Sequence, residues 1–455
     1  MPTLTFHSAA RSVTGANYLL ETKKSKVLVD CGLIQGARHA EEKNYEPFPY
    51  DPASIDAVFV THAHIDHTGR LPKLVKDGFR GKIFMTPPTR DFTEIMLHDS
   101  QGLMRDEAKR EKRKELYTKT DVVKTLEVIE GVEYGKKIQI TQDIQVRFRD
   151  AGHILGSSII EVFINEGQEM RVVFSGDLGN PPVPLLRPTT FIERADYVIM
   201  ESTYGDRQHE NIDLRKNLLE DAIEDTVSRG GTLMIPAFAM ERTQELLYEL
   251  NLLVENQRVP EVPVFIDSPL AIKATEIYNK YPDYFNKEAT YLIESGDKVF
   301  QFPRLKFTET SEESKAINDV SPPKIIIAGS GMSTGGRILH HERRYLCDPN
   351  STILFIGYQV AGTLGRRIFD GAKSVKIFGE EVPVNCEVRA IGGYSAHADQ
   401  EQLMAWVKHI KEGGDLKKVF AVQGEEGPAL ALVQFLRDRL GIDASAPMLG
   451  EKIEL

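Results

Sequence analysis

The stretch FVTHAHIDHTG, residues 59–69, sets three histidines and one aspartate into six positions directly behind an apolar run. In extended backbone at a strand end, side chains two apart share a face, so His62 and His64 point the same way and can reach one ion. Asp66 and His67 follow on the turn into TGRLPKLVKDG, where a second ion could take them. Neutral imidazole and carboxylate are zinc donors at roughly 2.0–2.2 Å, so the residue types suit that metal. Strand-capping histidines that hydrogen-bond locally would account for one His, but hardly for H-x-H-x-D-H.

The same arrangement, a short apolar run ending in polar residues, recurs through the first half of the chain. KVLVDCG (26–32), AVFVTHA (57–63), KIFMTPP (82–88), IQVRFRDAGH (144–153), RVVFSGDLG (171–179) and DYVIMESTYG (196–205) have the length and β-branched content of strands. Sites in layered α/β folds are usually built at such strand ends. AGHILGSS places His153 in a Gly-flanked loop, and FSGDLG places Asp177 likewise, 24 residues later. Each alone reads as a loop or turn residue. With His62, His64, Asp66, His67 and His397 of YSAHAD, they make five histidines and two aspartates. That is enough for two metals sharing one bridging ligand, which can clamp the attacking and leaving oxygens of a phosphoryl displacement.

From about residue 213 the pattern becomes strand and helix in alternation, which predicts parallel α/β units and a second domain with a wound sheet. NIDLRKNLLEDAIEDTVSRGG reads as a helix ended by Gly230 and Gly231, TLMIPAF as a strand, and MERTQELLYELNLLVENQ as a helix. EVRAIGGYSAHAD (387–399) then reads as a strand running into a His/Asp loop, and so as a return to the first domain. RDEAKREKRKELYTKTD (105–121) reads as a solvated helix laced with charge pairs.

The 455 residues suffice for two or three domains with separate cores. A net charge of −11 gives no overall attraction for nucleic acid or anionic membrane, so a polyanion needs local cations or a metal. Cys31, Cys347 and Cys386 are too few and scattered for a disulfide framework or a Cys-type zinc site. The N-terminus lacks a charged and apolar signal pattern, and no apolar run approaches the roughly 20 residues of a membrane span. A cytoplasmic protein with no membrane partner is expected.

The order Asp30 in LVDCG, His62-x-His64-x-Asp66-His67, His153 and Asp177 resembles the metallo-β-lactamase superfamily. Glu201 in MESTYGDR, PAFAMERTQELL (236–247), IIIAGSGMSTGGRILHH (325–341), GYQVAGTLGRRI (357–368) and SAHAD (395–399) resemble its β-CASP branch of RNA-processing nucleases, which includes ribonuclease J and the cleavage and polyadenylation endonuclease. The resemblance implies an αββα metallo-β-lactamase sandwich, residues 1–206 and 385–455, with an inserted parallel-sheet β-CASP domain, residues 207–384. It implies two zinc ions per chain, with manganese as the substitute. His62, His64 and His153 would hold one, Asp66, His67 and His397 the other, and Asp177 would bridge. Asp30 would orient a ligand histidine. A hydroxide bridging the metals would attack, with Asp66, Glu201 and His397 as catalytic residues, His397 and Glu201 together protonating the leaving oxygen. In the eukaryotic endonuclease a histidine follows the GTL turn, whereas here Arg366 and Arg367 stand there. An arginine stays protonated and holds phosphate rather than shuttling a proton.

The Gly/Ser-rich turn between strand and helix in AGSGMSTGGRILHH offers free N–H groups for an anion, or merely the glycines a tight turn needs. Ser330, Ser333, Arg337 and His340 are its candidate substrate contacts, together with Arg366 and Arg367. The function expected is a zinc-dependent ribonuclease cutting single-stranded RNA, endonucleolytic in processing or decay, and a homodimer. The alternatives are a 5′-exonuclease and a metal-dependent hydrolase of a small phosphodiester or ester. An iron redox protein of this fold would carry Glu at His64, and a non-cutting RNA-binding homologue would have lost ligands that this chain keeps.

Overall fold

The structure, a computed structural model, describes residues 1–36, 38–209, 214–357 and 359–455. It divides into one unit of Met1–Gln208 with Ala396–Leu455 and a second of His209–Ser395.

The first unit holds two seven-stranded sheets. One orders Lys452–Glu454, Thr3–Ser8, Asn17–Glu21, Lys26–Val29, Ala57–Phe59, Lys82–Met85 and Ile129–Gly131. The other orders Ala444–Ser445, Lys418–Val422, Tyr197–Glu201, Glu169–Phe174, Ser158–Asn165, Ile144–Asp150 and Lys137–Gln139. Period-2 alternation gives each sheet an inward apolar face. Phe6, Tyr18, Val29 and Phe59 of one sheet share a buried cluster with Phe148, Val162, Phe174 and Phe420 of the other. The outer face of the second sheet is covered by helices Gln400–Glu412 and Glu426–Leu440, through Trp406, Val407, Leu432 and Leu436. Leu71–Lys76 covers the first through Leu71 and Leu74. The result is an αββα sandwich.

Strands Lys26–Val29 and Ala57–Phe59 run parallel, as do Glu169–Phe174, Tyr197–Glu201 and Lys418–Val422. Ile144–Asp150 shares the direction of Glu169–Phe174, since each lies antiparallel to Ser158–Asn165 between them. Carboxyl ends of these strands deliver Asp30, His62, Glu201, Asp177 and His153.

The second unit is built on a six-stranded sheet, all parallel, ordered Leu305–Phe307, Val264–Ile266, Lys324–Ala328, Thr232–Pro236, Thr352–Ile356 and Glu387–Ile391. Glu387–Ile391, expected to open the return segment at 385, is instead the edge strand here, paired along its whole length with Thr352–Ile356. The helix expected over 211–231 is described as Arg215–Ser228, residues 211–213 lying outside the described residues, as does Tyr358 of the GYQVAGTLGRRI motif. The charged segment 105–121 is not one helix. The helix Pro87–Glu111 stops where Lys112 turns left-handed (φ 54°), and a Thr118/Asp121 capping box starts the next, Lys119–Glu127. Charge density could not show that break; the capping box could have.

Candidate active site

Asp30 ends its strand in the left-handed region (φ 59°), which turns its carboxylate inward. It accepts hydrogen bonds from the Thr61 amide and hydroxyl at 2.8 Å and lies 2.7 Å from His67 Nδ1. Its bond to Nδ1 fixes the ring and leaves Nε2 facing the site. Gly176 (φ 55°) does the equivalent for Asp177: a Cβ there would sit 2.8 Å from that of Thr61, so the close approach of the two loops needs glycine.

Oδ2 of Asp177 is the hub. It lies 3.4 Å from His62 Nε2, 3.6 Å from His67 Nε2, 3.7 Å from His153 Nε2 and 3.9 Å from His397 Nδ1. On one side, His64 Nδ1 is 3.0 Å from His62 Nε2 and 3.3 Å from His153 Nε2. His62, His64, His153 and Asp177 thus each bring a donor atom within 4.8 Å of the others, and Asp177, Glu201 and His397 make a second such group. Asp66 Oδ2 stands 3.8 Å from His67 Nε2. The buried Glu201 carboxylate accepts from the Leu178 amide at 2.5 Å and lies 3.1 Å from His397 Nδ1.

Burial lowers the His62 imidazole well below its ordinary range, with His67 and His64 adding repulsion. Burial also pushes the carboxyls of Asp66 and Asp177 up, that of Asp177 to about 7. His67 and His397 go the other way. Burial opposes their charge, but Asp177 and Asp30 around His67 outweigh it and raise it to about 10, and Glu201 beside His397 raises that ring to about 9.

Oδ1 of Asp177 is buried with no hydrogen-bond partner among the described residues, while four imidazoles converge on the Oδ2 of the same carboxylate. A buried carboxylate oxygen left without a donor is costly, and an N/O donor set of this kind suits a divalent metal. The residues fit a divalent metal, which His62, His64, His153 and Asp177 would hold, with Asp177, Glu201 and His397 as a second group of donors beside them.

In the second unit, the carboxyl ends of the parallel strands carry the Gly/Ser loop. There Ser333 and Arg337 turn inward: Ser333 is buried with its hydroxyl on Glu342, and Arg337 donates to Asp267 at 2.7 Å and to the carbonyls of Thr308 and Glu309. Asp267 is fully buried and needs that cation. His341 joins it at 2.7 Å, whereas its neighbour His340 is exposed, its ring 4.6 Å from that of Phe378. The Ser330 hydroxyl lies 3.0 Å from that of Thr334, Arg366 pairs with Asp370 at 2.9 Å, and Arg367 is exposed.

One residue at the metal-ligand cluster escaped sequence reasoning. Gln423, directly after strand Lys418–Val422, places its amide nitrogen 2.7 Å from His67 Nε2. Its segment, VFAVQGE, has the same apolar-run, polar, Gly form as LVDCG, and that was the available signal.

Family models match three parts of the chain: the metallo-beta-lactamase superfamily over residues 13–203, the Beta-Casp domain over 243–368, and a Zn-dependent metallo-hydrolase RNA specificity domain over 381–447. Ribonuclease TTHA0252 of Thermus thermophilus is 38% identical, the match covering 98% of each chain. Transcription termination factor FttA is 35% identical in Methanosarcina mazei, over 96% of this chain and 69% of that one, and 34% identical in Thermococcus kodakarensis, over 98% and 70%. A solved protein of unknown function from Enterococcus faecalis V583 superposes with a TM-score of 0.56 at 13% identity over 100% of both chains, a likeness of fold alone. With the site's ligands at the strand ends and all three models in order along the chain, this protein belongs to the β-CASP branch of the metallo-β-lactamase superfamily.

Proposed function

We propose that this hydrolase is a zinc-dependent ribonuclease that cuts phosphodiester bonds inside single-stranded RNA. The observation that carries the reading is the convergence of His62, His67, His153 and His397 on one oxygen of Asp177, in a chain 38% identical to a ribonuclease over nearly its whole length. When bound, a zinc pair supplies Lewis acidity for phosphoryl oxygens and a nucleophile at neutral pH. The chain's own residues do the rest. Asp30 holds His67 by Nδ1, so that Nε2 is presented without rotational search. Glu201 holds His397 by Nδ1 and favours its protonated form, so that His397, in the state where no metal occupies its Nε2, can return a proton to the leaving 3′ oxygen. Arg366 and Arg367, permanently charged, hold phosphate rather than relay protons. An acidic chain needs such local cations for any polyanion.

The test is cleavage of a 5′-labelled single-stranded RNA by zinc-loaded protein, beside an Asp66→Ala/His67→Ala control. Internal fragments made only by the wild type are the expected result. Release of mononucleotides alone would replace the endonuclease reading with a 5′-exonuclease, and no cutting would return the small-phosphodiester alternative. Asp66→Ala and His397→Ala are each expected to lower turnover roughly a hundredfold or more with the fold kept. Wild-type rates in either variant would refute the site. Arg367→Ala is expected to weaken RNA binding more than single-turnover chemistry; the reverse pattern would remove its phosphate role.

A further inference from the structure

Gln423 is buried and sits with φ 50°, the left-handed region, at the end of its strand. The backbone is tied down on both sides: its N–H donates to the Ala9 carbonyl at 2.8 Å, and its carbonyl accepts from the Thr203 hydroxyl at 2.9 Å. The side chain is as firmly placed. Nε2 donates to the Val13 carbonyl at 3.2 Å and lies 3.5 Å from Asp66 Oδ2, while Oε1 accepts from the Tyr18 hydroxyl at 3.3 Å. The shortest contact is the 2.7 Å between Gln423 Nε2 and His67 Nε2.

That contact uses the one His67 nitrogen available to an ion. Nδ1 is already engaged by Asp30 at 2.7 Å and faces the Thr61 hydroxyl at 3.1 Å. In the neutral ring, the form that coordinates a metal, the lone pair of Nε2 can accept a hydrogen bond or bind the ion, not both. Among the described residues, the Gln423 contacts with the candidate ligands fall on Asp66 and His67.

We propose that Gln423 controls occupancy of the Asp66/His67/His397 position: its carboxamide competes with the ion for His67 Nε2 and makes that position the weaker and more exchangeable of the two. The inference rests on the two-metal reading above. It makes Gln423 a positioning residue, acting through His67 rather than on the substrate.

The test is zinc titration of the full chain against a chromophoric chelator at fixed pH, comparing wild type, Gln423→Asn and Tyr18→Phe. Asn tolerates the left-handed backbone and keeps an amide, but is one methylene too short to reach His67. Tyr18→Phe frees the Gln423 carbonyl without touching a ligand. For wild type, two zinc ions with distinct constants are expected. In Gln423→Asn the tighter constant should stay put while the weaker strengthens about three- to tenfold, the size of one lost hydrogen bond. Tyr18→Phe should shift the same constant in the same direction by less. An unchanged or weakened second constant in both variants would overturn the proposal, since the amide would then be a bystander or an organiser of the ligands. Wild type binding fewer than two zinc ions would instead remove the two-metal reading itself, before any variant is compared.

Discussion

Asp177 is the residue on which four imidazoles converge, and its neighbours set how the site responds to pH. His397, raised to about 9 by Glu201, carries its proton at pH 7 unless a metal takes its place. An imidazole must give up its proton to coordinate, so metal uptake is expected to release protons. The apparent affinity should then rise as pH climbs from 7 toward 9. Calorimetry of zinc binding in buffers of different ionisation enthalpy reads the protons directly, and uptake without proton release would contradict this account. At Gly176 the expected outcome is structural. Gly176→Ala must force a Cβ into Thr61 and the Ser158 carbonyl in a left-handed conformation, costing about 1–3 kcal/mol and moving Asp177. A lower melting temperature together with weaker zinc binding checks it; wild-type values for both would show that the loop has slack.

At the scale of elements, the first-unit strands were legible because buried strands of this kind are short, apolar and punctuated by turns. His62, His64, Asp66 and His67 were legible because they are neighbours in sequence. His153, Asp177 and His397 became readable only as a set with them. What was not legible had no local signature. Glu387–Ile391 reads equally well as a strand of either unit, and only its register with Thr352–Ile356 decides. Gln423 is an ordinary amide until its strand sets it against His67. The internal contacts of Arg337 and Ser333 follow from the burial of Asp267 and Glu342, which the Gly/Ser pattern does not reveal. The helix Gln400–Glu412 makes an element-level prediction. Trp406 is buried there, with its indole N–H on the Thr190 carbonyl at 3.0 Å. Trp406→Ala should therefore cost about 3–5 kcal/mol in denaturant unfolding, with a loss under about 1 kcal/mol refuting the packing.

At the scale of the whole molecule, the first unit is discontinuous in sequence. Strand Lys452–Glu454 pairs with Thr3–Ser8, and Lys418–Val422 pairs with Tyr197–Glu201. A chain ending at residue 208 would leave Phe6, Phe174 and Ile199 without Phe420 and Val422, and would lack the helices carrying Trp406 and Leu432. It is expected to show no fixed near-UV circular dichroism. A folded, zinc-binding fragment would show that the return segment is dispensable.

That discontinuity also has a consequence in time. His397 and Gln423 leave the ribosome only after residues 209–395 have been made, roughly ten to forty seconds later at about 5–20 residues per second. The metal-ligand cluster is therefore among the last parts of the protein to exist, and a nascent chain that stops short of residue 397 lacks one of the four imidazoles that meet at Asp177.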